Sequence, residues 1–242
     1  MNQDTQYNAR EPQTFPFEVT FRNKKYRVAH SFDPLTDDLL VEYDRRCQVR
    51  YGEADRKESD GGGIARTNQN FAAAVWLWDS LIQNVEGYGP LEGVDWKGKV
   101  SDKFKAAAID NALLACSIEE GGEVTEAPEG EYLPLDEQGA ATIKLRSIFS
   151  GREVITEHVL REPNTEQMSR FQSLMSRSLI VKGRKLGRPE TRIPSKARPL
   201  AKIYDELYES TSGYAEGGIP LHHKIAVINH HMTAQQEVLE GN

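Results

Sequence analysis

The chain has 242 residues, with 30 basic against 37 acidic side chains for a formal net charge of −7, and 38% of it is apolar. That length corresponds to one or two domains at roughly 100–200 residues each, and apolar residues recurring at helical and strand spacing exclude wholesale disorder. No run approaches the ~18 consecutive apolar residues of a membrane span; the longest, Phe71 to Trp78, has 8.

Residues 1–16 are polar and have no apolar core, so they read as a flexible arm rather than a secretory signal. The only two cysteines, Cys47 and Cys116, are far apart and fall in helical patterns. A disulfide framework is not expected; buried thiols in a chain made under reducing conditions are. The acidic balance argues against a general nucleic-acid coat and leaves room for a local basic patch.

The first elements read as a β-hairpin over 17–28. Phe17, Val19 and Phe21 alternate, as do Tyr26 and Val28, with Asn23 suited to the turn. A helix follows over about 37–50, led by Pro34, an N-cap at Thr36 and the acids Asp37 and Asp38, with Leu40, Tyr43 and Cys47 on one stripe. A second helix runs to a C-terminal stop at Gly87. Its stripe Phe71, Val75, Trp78, Ile82 and Val85 steps by 4, 3, 4 and 3, and the first four of these are the expected core. A third helix is predicted from a Ser101 cap to about residue 118.

Segment 119–139 carries eight acidic residues with Pro128, Pro134 and several glycines, and no Lys or Arg occurs between Lys105 and Lys144. It reads as a solvated acidic linker. Beyond it the same order returns: a hairpin over 143–159 turning at Ser150-Gly151-Arg152, a helix over about 166–179 capped by Asn164 or Thr165, a helix over 200–212 stopping at Gly213, and a helix over 220–238.

Residue identities return with the order. Asp79, Leu81, Gly87 and Tyr88 recur as Asp205, Leu207, Gly213 and Tyr214, all 126 residues on. Pro34 and Thr36 recur as Pro163 and Thr165 at 129, and Lys105 as Lys224 at 119. Three blocks in one order predict an α+β fold built by tandem duplication of a β-hairpin plus three-helix unit. The expected divisions are an arm at 1–16, unit 1 at 17–118, the acidic linker at 119–140 and unit 2 at 141–242.

Motifs for chemistry are sparse. Four of six histidines lie at positions 222, 223, 230 and 231. His223 and His230 share a helix face but sit two turns apart, a rise of about 10 Å, too far for one metal ion; a polar face or a pH-sensitive interface is expected there. Gly61, Gly62 and Gly63 lack the Gly-Lys-Ser/Thr of a P-loop, and no Gly-x-Ser-x-Gly elbow occurs. Asp79 and Asp205, each beside an aromatic residue, read as helix-surface acids or ion-pair partners before they read as general bases. No catalytic residue, cofactor or metal site is expected, and the chain is read as a non-enzyme.

The strongest local signal is basic. Segment 177–202 holds nine Lys and Arg residues against one acid, Glu190, and is interrupted by Pro189, Pro194 and Pro199. It reads as an extended arm, with Arg184, Lys185, Arg188, Arg192, Lys196 and Arg198 as its contact residues. Such an arm lies along phosphates, docks on an acidic surface of a neighbouring subunit, or stands in solvent. No aromatic residues interleave, so base stacking is not indicated.

The hairpin 17–28, Pro34-Leu-Thr36 with Leu39-Leu-Val-Glu-Tyr43, and 75–88, with second copies at 154–171 and 204–214, resemble tail-assembly chaperones and tail-associated structural proteins of bacteriophages. The resemblance implies a non-enzymatic structural or assembly subunit of a bacteriophage or phage-like particle. Its partners would be other particle subunits or copies of itself, its location the virion or the bacterial cytoplasm during assembly, and it would have no membrane or small-molecule partner. The duplication, the linker and the basic arm depart from the chaperone pattern and suit a virion component better. A nucleic-acid-binding accessory protein using 177–202 is the alternative.

Overall fold

Two long hairpins, one in each half of the chain, organise the structure. The computed structural model describes residues 6–21, 24–47, 50–53, 64–67, 70–89, 95–119, 139–176, 179–182, 189–192, 195–215 and 217–240. In the first half the order is β1 (Gln13–Phe21), β2 (Lys24–Phe32), α1 (Asp37–Arg46), β3 (Arg50–Glu53), β4 (Ile64–Thr67), α2 (Asn70–Leu81), β5 (Ile82–Glu86) and α3 (Asp102–Ala108), which runs into a π-helical turn, Ile109–Leu113. Strand β6 (Cys116–Glu119) precedes the second half: β7 (Ala140–Phe149), β8 (Arg152–Arg161), α4 (Thr165–Ser176), β9 (Leu179–Lys182), β10 (Pro189–Arg192), α5 (Ala197–Leu207), β11 (Tyr208–Ser212) and α6 (Leu221–Glu240). Helices and antiparallel sheets mix throughout, as an α+β fold requires.

Among the described residues the strands form three sheets, with orders β1-β2-β5, β4-β3-β10-β9 and β11-β8-β7-β6. The outer two are built alike. A hairpin receives, on its second strand, the strand that leaves the next-but-one helix without a loop: β5 on β2 and β11 on β8. The β7–β8 hairpin turns on Ser150 (φ 46°) and Gly151 (φ 75°), the positive pair that suits a two-residue hairpin loop. The middle sheet takes one short hairpin from each half, joined where β3 pairs antiparallel with β10.

The caps of α1 and α4 follow the predicted chemistry. Thr36 Oγ1 accepts from the Leu39 amide at 3.3 Å. At α4 the cap is Asn164: its side chain accepts from the Gln167 amide at 2.9 Å, and the Gln167 side chain accepts from the Asn164 amide at 3.0 Å, a reciprocal capping box.

Two cores face the hairpins. Phe15, Phe32, Leu77, Trp78, Leu81, Val85 and Ile109 gather in the first half, and Leu145, Leu160, Phe171, Ile203, Tyr204, Val227 and Met232 in the second. Each such side chain contributes about 1.5–3 kcal/mol by leaving water. A smaller cluster of Leu40, Ala197, Ala201 and Leu221 seals α1 against α5 and α6 across the halves.

Several expectations need correction. The second helix stops at Leu81, and Ile82–Glu86 is strand β5. A bulge caused the confusion: Ser31 pairs with Asn84 and Phe32 with Ile82, leaving Gln83 as an extra residue. Ile82 and Val85 therefore face inward together, three residues apart, as they would on a helix. The buried face of α2 is Ala73, Ala74, Leu77, Trp78 and Leu81; Val75 is half-buried and Phe71 is 54% exposed, so Phe71 is not core. Cys116 lies in β6 rather than in a helix, and Ser101 makes no side-chain cap bond. The segment read as a flexible arm holds Tyr7, 2% exposed, which packs with Phe149 and Val154, and β1 already begins at Gln13. Most of the acidic linker, 120–138, lies outside the described residues.

Candidate functional site

Among the described residues, the most extended polar network lies at the two hairpins, around His30 and His158. His30 projects from β2 and is fully buried. The Trp78 indole Nε1 donates to His30 Nδ1 at 3.0 Å, and His30 Nε2 meets the Tyr88 hydroxyl at 2.8 Å. Indole N–H only donates, so Nδ1 must be the unprotonated nitrogen and Nε2 carries the proton toward Tyr88. A second proton on Nδ1 would confront another donor. Burial already disfavours the cation, and the His30 pKa falls to about 4.

The same arrangement stands in the second half. His158 Nδ1 meets the Tyr204 hydroxyl at 2.8 Å and Nε2 the Tyr214 hydroxyl at 3.0 Å. Tyr204 is 126 residues beyond Trp78, and Tyr214 is 126 beyond Tyr88. Burial brings His158 to about 4 as well. Here the network extends: Thr156 Oγ1 donates to the Tyr214 hydroxyl at 3.1 Å, and that hydroxyl also meets His223 Nδ1 at 2.7 Å. His223 is held well below its usual value by burial and by neighbouring histidines. Its Nε2 and the Gln13 Oε1 are buried and make no hydrogen bond among the described residues. The Tyr7 ring lies edge-on to His223, 4.5 Å between centroids.

Two glycines deliver the tyrosines. Gly87 and Gly213 take φ of 80° and 85° immediately before Tyr88 and Tyr214. A Cβ on Gly87 would stand 2.2 Å from the Arg27 carbonyl oxygen, and one on Gly213 2.9 Å from that of Ile155. Only glycine fits on both counts. The strand bulge repeats too, with Tyr208 opposite Leu160 and Ser210 opposite Val159, leaving Glu209 over.

Asp79 and Asp205 are ion-pair partners. Lys105 Nζ lies 2.7 Å from Asp79 Oδ1 and 4.7 Å above the Trp78 ring. Lys224 Nζ lies 2.7 Å from Asp205 Oδ1 and 5.7 Å above the Tyr204 ring. Lys105 is 5% exposed, so its charge is compensated by a carboxylate and an aromatic face together.

The basic segment divides. Arg184, Lys185 and Arg188 lie outside the described residues, and Arg192 is placed only by its backbone, as the last residue of β10. In place of an extended arm, the described residues of the segment form the paired strands β9 and β10 and then the start of α5, which carries Arg198, Pro199 and Lys202. Proline is tolerated there because a first-turn amide has no helical acceptor. Lys196 and Arg198 turn toward the first half of their own chain: the Lys196 amide donates to Asp44 Oδ2 at 3.2 Å, and the Arg198 guanidinium pairs with Asp38. Lys196 Nζ also donates to the Met175 carbonyl at 2.6 Å.

The C-terminal histidines do not form one polar face. His223 and His231 are buried, His231 against the Arg161 carbonyl at 3.0 Å, whereas His230 is exposed. Among the described residues no group of three or more His, Cys, Asp or Glu is placed to hold a metal ion, and no helix is long and apolar enough to cross a membrane. An apolar cleft of about 500 Å³ opens between β1 and α3, lined by Phe15, Phe17, Phe104, Ala108 and Ile148. Burial raises the Cys47 thiol to about 11 and also raises Cys116, so both stay protonated at neutral pH.

His30 and His158 lie outside the cluster of C-terminal histidines that stands out in the sequence. The available signal was their own spacing of 128 residues, between the 126 and 129 of the matching blocks.

Comparison with family models, curated proteins and solved structures found no match to this chain.

Proposed function

We propose that the chain is a tandem duplication of one hairpin-and-helix unit, and that it serves as a non-enzymatic structural or assembly subunit of a bacteriophage or phage-like particle through protein–protein contacts. The observation that carries this reading is the recurrence of one set of interactions in both halves. A histidine on the second hairpin strand, an aromatic side chain on a helix hydrogen-bonded to its Nδ1, a positive-φ glycine, a tyrosine and an Asp–Lys pair return in the same order. In both halves these groups clamp helix to hairpin, a packing role. A protein that already contains a contact between two like units has the architecture of an assembling subunit.

The basic segment supports protein contact before nucleic acid, because the Arg198 guanidinium pairs with the Asp38 carboxylate and the Lys196 ammonium is taken up by the Met175 carbonyl. The nine basic residues of 177–202 keep a nucleic-acid-binding accessory role as the second reading.

Size-exclusion chromatography with light scattering, recorded at 260 and 280 nm, separates the two. The expected result is a discrete assembly free of nucleic acid. A clean monomer favours the assembly-factor form of the proposal over the particle component. Strong 260 nm absorbance that disappears at high salt, and with charge removal at Arg184, Lys185 and Arg188, overturns the proposal in favour of the second reading.

A further inference from the structure

We infer that copies of this chain join head to tail through the open edges of the middle sheet, β9 of one copy pairing antiparallel with β4 of the next. The inference rests on the reading of the two halves as like units and goes beyond it in naming the surface, the partner and the register.

The asymmetry of the internal contact carries the argument. Strand β3 opens the short hairpin of the first half, and β9 opens that of the second, 129 residues on. That is also the spacing of Pro34 and Pro163, which precede the helices α1 and α4. Strands β4 and β10 close the two hairpins. The sheet order β4-β3-β10-β9 therefore joins the opening strand of one half to the closing strand of the other. Two like units meeting by like strands would close on themselves as a two-fold pair. Units meeting by unlike strands leave one surface of each kind unused, at opposite ends. Those surfaces are the closing strand β4 and the opening strand β9. Neither has a further neighbour among the described strands, and a sheet edge of that kind presents unpaired amides and carbonyls. Direction alternates across the four strands, so β4 of another copy continues the antiparallel order beside β9.

The register follows from the same pairing. Thr191 stands opposite Tyr51 and Arg192 opposite Arg50. Within the hairpins, Thr67 is to Arg50 what Arg192 is to Leu179, and Arg66 is to Tyr51 what Thr191 is to Ile180. Repeating the β3–β10 register between copies sets Thr67 opposite Leu179 of the next copy, and Arg66 opposite Ile180.

The helix layer points the same way. Inside the chain, α5 packs on α1, where Ala197 is buried in a cluster with Leu40 and Arg198 pairs with Asp38. The position 126 residues before Ala197 is Phe71, on α2. At 54% it is the most exposed large apolar residue described. At the other open end, on α4, which precedes β9 as α1 precedes β3, Met175 is 45% exposed. Phe71 lies four residues beyond the end of β4, and Met175 four residues before the start of β9.

The test uses the full-length chain carrying Thr67→Cys and Leu179→Cys together. Within one chain these positions lie on outer strands three spacings apart, on the order of 14 Å, beyond the ~7 Å Cα reach of a disulfide. Mild oxidation is expected to give a ladder of covalent oligomers on a non-reducing gel, absent from each single variant and from the parent chain with Cys47 and Cys116. Adding Phe71→Asp, an acid in a helix first turn that leaves circular dichroism unchanged, is expected to slow ladder formation at least tenfold. Absence of a ladder, or Thr67→Cys alone giving as much dimer as the pair, overturns the inference. If light scattering of the parent chain still shows an assembly free of nucleic acid, the subunit reading survives that failure; an assembly that needs nucleic acid removes the subunit reading itself.

Discussion

Trp78 and His30 share one proton donor and one acceptor at 3.0 Å, and that bond fixes which nitrogen of a fully buried imidazole stays bare. In the second half the Tyr204 hydroxyl takes the place of the indole. Both aromatic groups can donate to Nδ1, so the exchange of Trp for Tyr preserves the chemistry the histidine needs.

Stability is expected to fall with acid between pH 6.5 and 4. His30 and His158 are neutral when folded, with pKa values lowered to about 4, and titrate near 6.5 when unfolded. Within that window the unfolded chain binds more protons, so folding weakens as pH drops. Above 6.5 the contribution is fully present; below 4 the loss is complete, at roughly 3 kcal/mol per histidine. Urea titrations at intervals from pH 7.5 to 4 check this. In His30→Gln the slope over that window should shrink by about one proton.

Replacing Trp78 by Phe removes the indole donor and leaves His30 Nδ1 buried without a partner. The expected cost is about 1–3 kcal/mol. The His30 pKa should also rise, because protonated Nδ1 would no longer face an N–H. An NMR titration of the imidazole in the variant decides it; a value at or below that of the parent would contradict the assigned tautomer.

Gly87→Ala and Gly213→Ala should each destabilise by about 3 kcal/mol, combining positive φ with backbone collision. Gly218 supplies the control. Its φ is 82° but nothing lies within 4 Å of a built Cβ, so alanine there should cost only about 1 kcal/mol. Equal losses at all three positions would remove the close-approach explanation.

The two Asp–Lys pairs should differ in strength. Lys105 is 7% exposed at its side chain and Lys224 is 23%, and both carboxylates are half open to solvent. Asp79→Asn is expected to cost about 1–2 kcal/mol, because it strands the more buried ammonium, and Asp205→Asn less than about 1 kcal/mol. Thermal denaturation of the two variants side by side measures the contrast.

How far these features were legible depended on how local they are. Alternation in 143–149, the Ser150-Gly151 turn and the caps at Thr36 and Asn164 are nearest-neighbour chemistry, and the structure has them where the residues predict. The end of α2 was misread because a bulge at Gln83 turns a strand into an imitation of helical spacing. Phe71 was misread because an amphipathic stripe does not say which of its flanks meets the hairpin. The anchoring of the N-terminal segment is not legible locally, because nothing in its polar residues announces a bridge from Tyr7 to Tyr214.

The residues alone specify the α+β alternation of elements, the caps at Thr36 and Asn164 and the Ser150-Gly151 turn, since each follows from neighbours within a turn or two, and they display identities that recur at one spacing along the chain. Packing is what makes His30 and His158 the buried centres of the two halves, sets the Lys196 amide and the Arg198 guanidinium against the carboxylates of α1, and joins β3 to β10 rather than to β9. Those outcomes require residues 46 to 160 positions apart to be packed together, and such contacts are set by the burial of whole faces, which no local window of residues contains.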